Sequence, residues 1–432
     1  MADARAVALE VIRDVEEGAF LNLSMKKKLS CLNVQDRRFC ARLCSATIQN
    51  LTRIDYIIDS FTQGKRVHRL IRDILRLGVC QLMFFSSVPE SAAVNECVKL
   101  AAASPKRQLK GFVNAVLKNI AKNKDNIAYP DRKDAVKYMS VMYSYPEWLV
   151  KKYIADYGEE FTHAMLSYES PALTCVRANR LKITPEELDK KLSKYDVAKG
   201  KYVSDARYIK NINAIDEMEE YLSGELTVQS ESSMLVVEAC DIKEGMSVID
   251  VCAAPGGKSA YAAGKKPSYI LACDLHAHRV ELMKKNFKRM GISADTRVMD
   301  ASVPEGELYS KFDRVIVDAP CSALGLLYRK PDIKHKKSGD DILSIIAMQR
   351  EILETASRYV KKGGILVYST CTVNKNENDD NVDDFLSRHP EFREKTGALD
   401  SVFNKRANGA RIQLFPHVDG IDGFFICVLE RI

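Results

Sequence analysis

The sequence predicts a multidomain protein with an all-α N-terminal bundle, a small α/β subdomain, and a C-terminal α/β domain built on a doubly wound, mostly parallel sheet. The chain has 432 residues, more than one ordinary hydrophobic core accommodates. Apolar residues recur at helical spacing through residues 4–124. From about residue 228, predicted strands alternate with predicted helices, which is typical of a parallel sheet covered on both faces.

Composition and charge narrow the class of protein. Apolar residues make up 46% of the chain and charged residues 28%, as in soluble globular proteins. The net charge is +7, and residues 1–124 hold 21 lysines and arginines against 11 acidic residues. This basic first quarter is compatible with a module that binds a polyanion and equally with a solvated basic face.

We expect no signal peptide, no membrane-spanning segment and no zinc site from this sequence. The N-terminus lacks the apolar core of a signal peptide, and no apolar run is long enough to span a bilayer. The twelve cysteines form no CxxC pairs and have no histidines at zinc-binding spacing. We therefore expect a cytoplasmic monomer with reduced thiols, no metal and no membrane contact.

The N-terminal domain is predicted to span residues 1–124, and we expect Asp36 to cap a helix that begins near Arg37. Its motifs resemble the helical RNA-binding domain of the NusB antitermination type: Asp36-Arg37-Arg38, Leu75–Leu82, Ala92-Ala93-Val94-Asn95-Glu96 and Gly111–Leu117. We interpret Asn95 and Asn114 as structural polar residues of the core. The RNA contacts would then come from the surrounding lysines and arginines.

Two segments precede the C-terminal domain. Residues 125–170 are predicted to be a helical linker, polar at first and then helical from Glu147. Residues 171–227 predict a small α/β subdomain, with a strand at Thr174–Asn179, a helix starting at Thr184-Pro185 and a possible strand at Tyr208–Lys210. This subdomain resembles the one that precedes the catalytic domain in RNA cytosine methyltransferases.

The C-terminal domain, residues 228–432, is predicted to contain strands near residues 247–252, 269–273, 295–299, 313–318, 364–369 and 424–429. An amphipathic helix is expected from Ile342 to Val360. Ligands of such sheets bind at the carboxyl ends of the strands.

The first of these strands runs into a loop of small residues. The loop consists of Cys252, Ala253, Ala254, Pro255, Gly256, Gly257 and Lys258. It matches neither the dinucleotide-binding nor the phosphate-binding glycine motif. Small residues before a helix let a ligand approach the backbone amides, so the pattern favours a cofactor loop over an ordinary strand-to-helix connection.

Acids and thiols follow the next strands. Asp274, Asp300 and Asp318 each end a predicted strand, and Cys321 and Cys371 lie just past two of them. A single aspartate here is as easily a helix cap, and a single cysteine a small core residue. Together at one sheet edge, the acids indicate ligand binding and the thiols indicate nucleophilic chemistry.

The same region resembles the S-adenosylmethionine-dependent RNA (cytosine-5)-methyltransferases. The matching motifs are Val228–Ser233, Cys252–Lys258, Asp318–Gly325, Lys330–Lys334, Ser369–Thr372, Asn374, Glu377-Asn378 and Asp422–Phe425. With the helical domain, the chain is similar to the bacterial 16S rRNA methyltransferases of the Sun/RsmB type. This resemblance implies a Rossmann-like methyltransferase domain with a mostly parallel seven-stranded sheet. Ser230 and Ser259 are departures, where an acid and a threonine are common.

The resemblance also implies roles for individual residues. Cys371 would attack the cytosine, Cys321 would assist product release, and Asp318 would bind the N3/N4 edge of the base with Lys258 nearby. The backbone of residues 252–258 would hold the methionine part of S-adenosyl-L-methionine. Asp274 would bind its ribose and Asp300 its adenine, with Asp318 completing the cofactor set, and Arg279 is interpreted as a surface or substrate-side residue. The implied partner is 16S rRNA.

Three alternatives remain from the sequence. The first is a tRNA cytosine-5 methyltransferase with the same chemistry. The second is an amino methyltransferase, which would carry a (D/N)PP(Y/F) motif where this chain has Asp318-Ala319-Pro320-Cys321. The third is a non-catalytic RNA-binding assembly factor that uses only the first domain.

Overall fold

The computed structural model describes residues 3–169, 171, 173–210, 212, 215–336, 338–403 and 409–432. The chain divides into two compact units. Unit 1 contains the residues up to Tyr168 together with Leu327–Lys336, and unit 2 contains the remaining residues from Glu169 onward. Among the described residues, no helix combines the length and apolar composition that crossing a membrane requires.

Unit 1 is helical, as predicted. Its α-helices are α1 (Ala4–Glu16), α2 (Leu21–Lys28), α3 (Val34–Gln49), α4 (Leu51–Thr62), α5 (Arg69–Phe84), α6 (Glu90–Ala103), α7 (Lys110–Asn123), α8 (Ala135–Tyr143), α9 (Glu147–Tyr157) and α10 (Glu159–Leu166). Helix α5 is buried from Ile71 through Leu82 apart from Arg72, and α1, α3, α4, α6 and α7 contact it. A helix covered on nearly all sides is the centre of its bundle.

Two expectations about polar residues in this unit are wrong. Helix α3 begins at Val34, and its cap is Asn33, whose Oδ1 accepts from the Asp36 amide at 2.9 Å. Asp36 therefore lies inside the first turn. Asn95 of α6 is exposed and Asn114 of α7 is half-buried, because other residues of each helix form its core face. Neither asparagine is a buried core residue.

The segment predicted as a linker contributes three helices to unit 1, α8 to α10. Its polar first part also packs on the bundle, since Tyr56 Oη donates to the Ala128 carbonyl at 2.9 Å and Arg53 Nε donates to Tyr129 Oη at 3.2 Å. Ser170, the last residue of the predicted linker, lies outside the described residues. The domain boundaries at residues 124, 170 and 227 stay our proposal.

A short segment from the C-terminal half of the sequence also belongs to unit 1. Its 3-10 helix, Pro331–His335, buries Lys334, whose Nζ donates to the carbonyls of Gln49 at 2.7 Å and Tyr143 at 3.4 Å. The ammonium lies 4.5 Å from the centre of the Tyr145 ring. Burial lowers the pKa of Lys334 to about 7.

Unit 2 begins with the predicted small subdomain. Its strands are β1 (Leu173–Ala178), β2 (Val197–Lys199), β3 (Ala206–Lys210) and β4 (Leu226–Val228), with helices α11 (Pro185–Lys191) and α12 (Glu219–Leu222). The strands form an antiparallel sheet in the order β2-β3-β1-β4. Helix α11 begins at the predicted helix start, where Thr184 and Glu187 form a capping box.

The large domain of unit 2 alternates strands and helices, as predicted. The elements are α13 (Glu231–Ala239), β5 (Ser247–Asp250), α14 (Gly257–Ala263), β6 (Tyr269–Asp274), α15 (Ala277–Met290), β7 (Asp295–Val298), β8 (Phe312–Asp318), α16 (Gly339–Ser357), β9 (Val360–Thr370), α17 (Asp379–Arg388), β10 (Phe392–Glu394), α18 (Asp400–Phe403), β11 (Arg411–Leu414), α19 (Pro416–Asp419) and β12 (Phe424–Arg431).

The large sheet has the order β10-β12-β9-β8-β5-β6-β7, with β11 paired to β12 outside this path. Strands β5 to β9 are parallel, whereas β12 joins β9 antiparallel and carries β10 and β11. The mostly parallel path of seven strands is therefore confirmed, with one extra strand beside it. Its six predicted strands are present, and β10 and β11 are short edge strands without a strong sequence pattern.

Alternate residues of the strands point to opposite faces of the sheet. On one face, Val248, Ile316 and Val367 pack with helices α13 and α14. On the other face, Ile249 and Val317 pack with α16 and α17. Because both faces are covered, loops that carry polar chemistry are confined to the ends of the strands.

We expect Lys334 to make the stability of unit 1 depend on pH. Its pKa is about 7 when folded and about 10.4 when unfolded. The unfolded state therefore binds more protons between these values, and stability rises with pH by up to about 1.4 kcal/mol per unit. Lys334→Met should lack this rise, and Lys330→Met, at an exposed position of the same segment, should retain it. Urea unfolding between pH 7 and 10 can be followed by the fluorescence of Trp148, the only tryptophan, in α9. Equal slopes for Lys334→Met and the unsubstituted protein would contradict the expectation.

Candidate active site

The predicted site residues lie at the carboxyl ends of adjacent parallel strands. Strand β5 ends at Asp250, β6 at Asp274 and β8 at Asp318. In the β8–β9 pair, Asp318 is opposite Ser369, two residues before Cys371. The strand order brings together the loop after β5, the acid after β6 and the two cysteine-bearing turns after β8 and β9.

The loop after β5 turns sharply before α14. The Ala253 amide donates to the Cys273 carbonyl at 2.7 Å, and the Gly256 amide donates to the Ala253 carbonyl at 2.7 Å. Gly256 has φ +99°, and a Cβ there would lie 2.7 Å from Cε1 of Phe287. Glycine is needed at this position both for its backbone angle and for the close packing of α15.

Asp274 is buried at the end of β6. Its Oδ2 lies 3.1 Å from Arg279 Nη1, and its Oδ1 accepts from the His276 amide at 3.1 Å. Arg279 Nη2 also donates to the Ala254 carbonyl at 2.8 Å. Arg279 therefore joins the loop to Asp274, and it is exposed, as expected of a surface residue.

Asp300 lies two residues beyond the end of β7 and is exposed. Its Oδ1 accepts from the Ser302 amide at 2.9 Å and from the Ser302 hydroxyl at 2.7 Å. These hydrogen bonds lower the pKa of Asp300 below its ordinary value. The carboxylate is thus an accessible, ionised acceptor at the edge of the site.

Asp318 and Lys258 form an ion pair that joins β8 to the first turn of α14. The second carboxylate oxygen of Asp318 accepts from the Ser369 hydroxyl at 3.0 Å. The Lys258 side chain is about 10% exposed and its ammonium lies 5.5 Å from the centre of the Phe424 ring. Asp318 thereby connects the loop after β5 to the pair of strands that precede the cysteines.

The thiols of Cys321 and Cys371 are adjacent, with their Sγ atoms 3.1 Å apart. Both side chains are half-buried, and either sulfur can donate to the other. The hydrogen bond with Cys371 raises the pKa of Cys321 well above its ordinary value, and burial and the charge of Glu377 act in the same direction. Two thiols at this distance can share one proton and act on the same substrate atom or on neighbouring ones.

Glu377 is a residue whose function the sequence did not indicate. Its fully buried carboxylate lies within hydrogen-bond distance of four side chains, those of Ser322, Thr372, Asn374 and Gln349, and of the Ser322 amide. Ser322 follows Cys321 and Thr372 follows Cys371. Glu377 lies in one of the motifs that match the methyltransferases, which marks it as a candidate. Nothing in the sequence shows that its side chain contacts both turns.

The two cysteine-bearing turns touch each other through glycine. The Gly325 amide donates to the Cys371 carbonyl at 3.0 Å, and the Gly423 amide donates to the Gly325 carbonyl at 3.1 Å. A Cβ at Gly325 would lie 2.1 Å from the Gly423 carbonyl oxygen and 2.9 Å from that of Cys371. This close backbone approach excludes any larger residue at position 325.

Unpaired polar atoms border the loop after β5. Gln229 Nε2, beside Gly257, and Asp250 Oδ1, at the end of β5, have no hydrogen-bond partner among the described residues. The other amide atom of Gln229 accepts from Arg177 Nε at 2.8 Å, and Ser259 Oγ donates to Asp250 Oδ2 at 2.7 Å. One oriented donor and one oriented acceptor are therefore available to a ligand of this loop.

Comparison with known proteins agrees with this architecture. A sequence model of the 16S rRNA methyltransferase RsmB/F family matches residues 237–430, a NusB family model matches residues 2–122, and a model of the RsmF/B-like ferredoxin-like domain matches residues 145–215. The fold and the site together define an RNA-modifying methyltransferase with a NusB-like helical domain.

Full-length relatives identify the family. The chain is 35% identical over 99% of its length to the probable ribosomal RNA small subunit methyltransferase B of Bacillus subtilis, covering 98% of that protein. It is 29% identical, with the same coverage of both chains, to the ribosomal RNA small subunit methyltransferase B of Serratia proteamaculans. The crystal structure of PH0851 matches 100% of this chain and 99% of its own with a TM-score of 0.83 and 25% identity. The chain belongs to the 16S rRNA methyltransferase RsmB/F family.

We expect Gly325→Ala to destabilise unit 2. The new Cβ would displace the backbone that links the two cysteine-bearing turns, at a cost of about 2–4 kcal/mol. Gly306→Ala is a matched control, because nothing lies within 4 Å of its Cβ position. Differential scanning calorimetry should show a lower transition temperature for Gly325→Ala only. Equal transition temperatures for the two variants would exclude a packing requirement at Gly325.

Proposed function

We propose that the protein transfers a methyl group from S-adenosyl-L-methionine to C5 of a cytosine in 16S rRNA through a covalent bond between Cys371 and C6. The observation that carries this proposal is the pair of thiols 3.1 Å apart beside the loop after β5. Cytosine C5 is a poor nucleophile, and addition of a thiolate to C6 makes it reactive. Amino-group methylation needs no such thiols, which disfavours the amino methyltransferase alternative.

The loop residues fit S-adenosyl-L-methionine. The α-carboxylate of its methionine part can accept from Gln229 Nε2 and from loop amides, and its α-ammonium can donate to Asp250 Oδ1. Asp274 offers a buried carboxylate for the ribose hydroxyls, and the exposed Asp300 offers one for the adenine amino group. When bound, the cofactor supplies an electrophilic methyl group on its sulfonium.

Cys371 and Asp318 would then act on the base in different ways. Cys371 adds to C6 as a thiolate, and Asp318 accepts from the cytosine N4 amino group and stabilises the adduct. The ion pair with Lys258 and the Ser369 hydroxyl orient Asp318 for this contact. Because the base must reach these groups edge-on, it has to leave any stack.

Release of the product requires the Cys371–C6 bond to break. Water accepts the C5 proton, the electrons of that C–H bond restore the C5=C6 double bond, and Cys371 departs as a thiolate. Cys321 can donate its S–H to the departing sulfur over the 3.1 Å that separate them. Its raised pKa supports this role, since the group stays a thiol at neutral pH.

The RNA substrate is proposed from the family and from the first domain. The relatives named above are small subunit rRNA methyltransferases, and residues 2–122 match the NusB family. We therefore favour 16S rRNA over tRNA and propose that the protein acts as a monomer.

We expect Cys371→Ser to abolish methylation while cofactor binding survives, because a serine hydroxyl is a far weaker nucleophile than a thiolate. Bisulfite sequencing of 16S rRNA and tRNA from a gene deletion should show one lost 5-methylcytosine in 16S rRNA. The unsubstituted gene and Cys31→Ser, at an exposed cysteine of unit 1, should restore it, and Cys371→Ser should not. A tRNA mark lost instead of an rRNA mark would overturn the substrate. Methylation restored by Cys371→Ser would overturn covalent catalysis.

We expect Cys321→Ser to accumulate protein covalently bound to RNA, because the departing thiolate loses its thiol donor. After incubation with S-adenosyl-L-methionine and 16S rRNA, a denaturing gel should show a band shifted by RNA that nuclease removes. The double variant Cys321→Ser/Cys371→Ser is the control and should show none. If Cys321→Ser turns over normally without a shifted band, Cys321 has no role in release.

A further inference from the structure

The carboxylate of Glu377 is the most heavily hydrogen-bonded group near the thiols. Oε2 accepts from the Ser322 amide at 2.8 Å and from Gln349 Nε2 at 3.0 Å. Oε1 accepts from the Ser322 hydroxyl and from Asn374 Nδ2 at 2.9 Å, and Thr372 Oγ1 lies 3.3 Å away. All of these groups are neutral, so they solvate the negative charge without cancelling it.

The backbone of Glu377 is anchored as firmly as its side chain. Its carbonyl accepts from Tyr368 Oη at 2.7 Å and from Asn381 Nδ2 at 3.2 Å. Gln349 accepts from Asn381 through Oε1 at 2.9 Å and donates through Nε2 to the Pro320 carbonyl at 2.9 Å. Strand β9 and helices α16 and α17 therefore hold the carboxylate in place from three directions.

The position of this carboxylate relates it to both cysteines. One bound residue, Ser322, directly follows Cys321, and the other, Thr372, directly follows Cys371. The hydroxyls of Ser322 and Thr372 are also 2.8 Å apart and share a hydrogen bond. A single side chain thus joins the two turns next to the residues that carry the thiols.

We infer that Glu377 is a positioning residue for the methyl-transfer reaction: it holds the turns of Cys321 and Cys371 together, and its charge adds to the contacts that favour the neutral thiol of Cys321. The inference rests on the proposed function for its catalytic meaning, whereas the geometry stands without it. The S–H of Cys321 is then available to the departing sulfur of Cys371. A buried negative charge beside a thiol disfavours the thiolate.

The titratable neighbours of Cys321 change its pKa in the same direction. Cys371, from the turn after β9, and Glu377 raise the pKa of Cys321. Tyr368 of β9 lies in the same cluster, and its own pKa is raised by burial and by the nearby charges of Glu377 and Cys321. The charges of Asp318 and Lys258 are paired with each other. Removing the charge of Glu377 should therefore lower the pKa of Cys321.

The test measures the rate at which Cys321 is alkylated, in protein without RNA or cofactor. Alkylation of Cys321 by iodoacetamide is followed by mass spectrometry from pH 6 to 10.5 in a Cys371→Ser background. We expect Glu377→Gln to shift the pH dependence of the rate to lower pH, so that Cys321 alkylates at least several-fold faster at pH 7.5. Glu244→Gln removes an exposed carboxylate of the same unit and should change nothing. A pH dependence unchanged by Glu377→Gln would overturn the inference.

The Cys371-intact protein supplies the second measurement. Glu377→Gln should lower kcat for methyl transfer by about 10²-fold with an unchanged KM for S-adenosyl-L-methionine, because the thiols lose their alignment. Glu377→Asp keeps the charge and shortens the side chain, so it should lower kcat but preserve the pH dependence of Cys321 alkylation. This variant keeps the inference testable if Glu377→Gln does not fold, since a shifted profile in Glu377→Asp would contradict it. A failure of covalent catalysis appears only in the Cys371→Ser assay and is thereby distinguished from a failure of this inference.

Discussion

The site depends on the parallel pairing of β8 with β9. In this register Val317 is opposite Tyr368 and Asp318 is opposite Ser369, so the turns after β8 and β9 begin at the same level of the sheet. The pairing continues past the strands, where the Ala319 amide donates to the Ser369 carbonyl at 2.9 Å. Two residues separated by 50 positions in sequence can therefore place their sulfur atoms 3.1 Å apart. If β9 shifted by one residue relative to β8, the side chains of β9 would turn to the other face of the sheet and the thiols would separate.

The same register explains why a buried carboxylate is tolerated next to the thiols. An isolated buried charge is costly, and the cost falls when oriented neutral donors replace water. The turn after β8 supplies the amide and hydroxyl of Ser322, and the turn after β9 supplies Thr372 and Asn374. These donors converge on Glu377 only because the two turns are adjacent. The fold creates the site for the charge, and the charge in turn binds the two turns to each other.

The features predicted from sequence are those governed by local pattern. Strands β5 to β9 and β12 are apolar and flanked by turn residues, and the acids and cysteines follow strand ends whose direction is set by the alternating topology. The features that escaped prediction depend on partners distant in sequence. Lys334 is buried against carbonyls of Gln49 and Tyr143, and Glu377 contacts a turn 55 residues earlier. A short-range signal misled for Asp36, because Asn33 lies at the better cap position. For Arg279, the sequence indicated its exposure but not its contacts with the Ala254 carbonyl and Asp274.

Asp318 shows how one side chain can belong to both halves of the site. One of its oxygens pairs with Lys258, in the first turn of the helix after the β5 loop, and the other accepts from Ser369, which precedes the turn of Cys371. A carboxylate has lone pairs to spare after two such contacts, so a third partner can still be bound. The orientation of Asp318 therefore depends on the loop on one side and on β9 on the other. Under the proposed chemistry, a displacement of the loop after β5 would move Lys258. The Asp318 oxygen that binds the base would then change its orientation while the sheet stays in place. Cofactor binding and recognition of the base would then be coupled through a single ion pair rather than through a rearrangement of the fold.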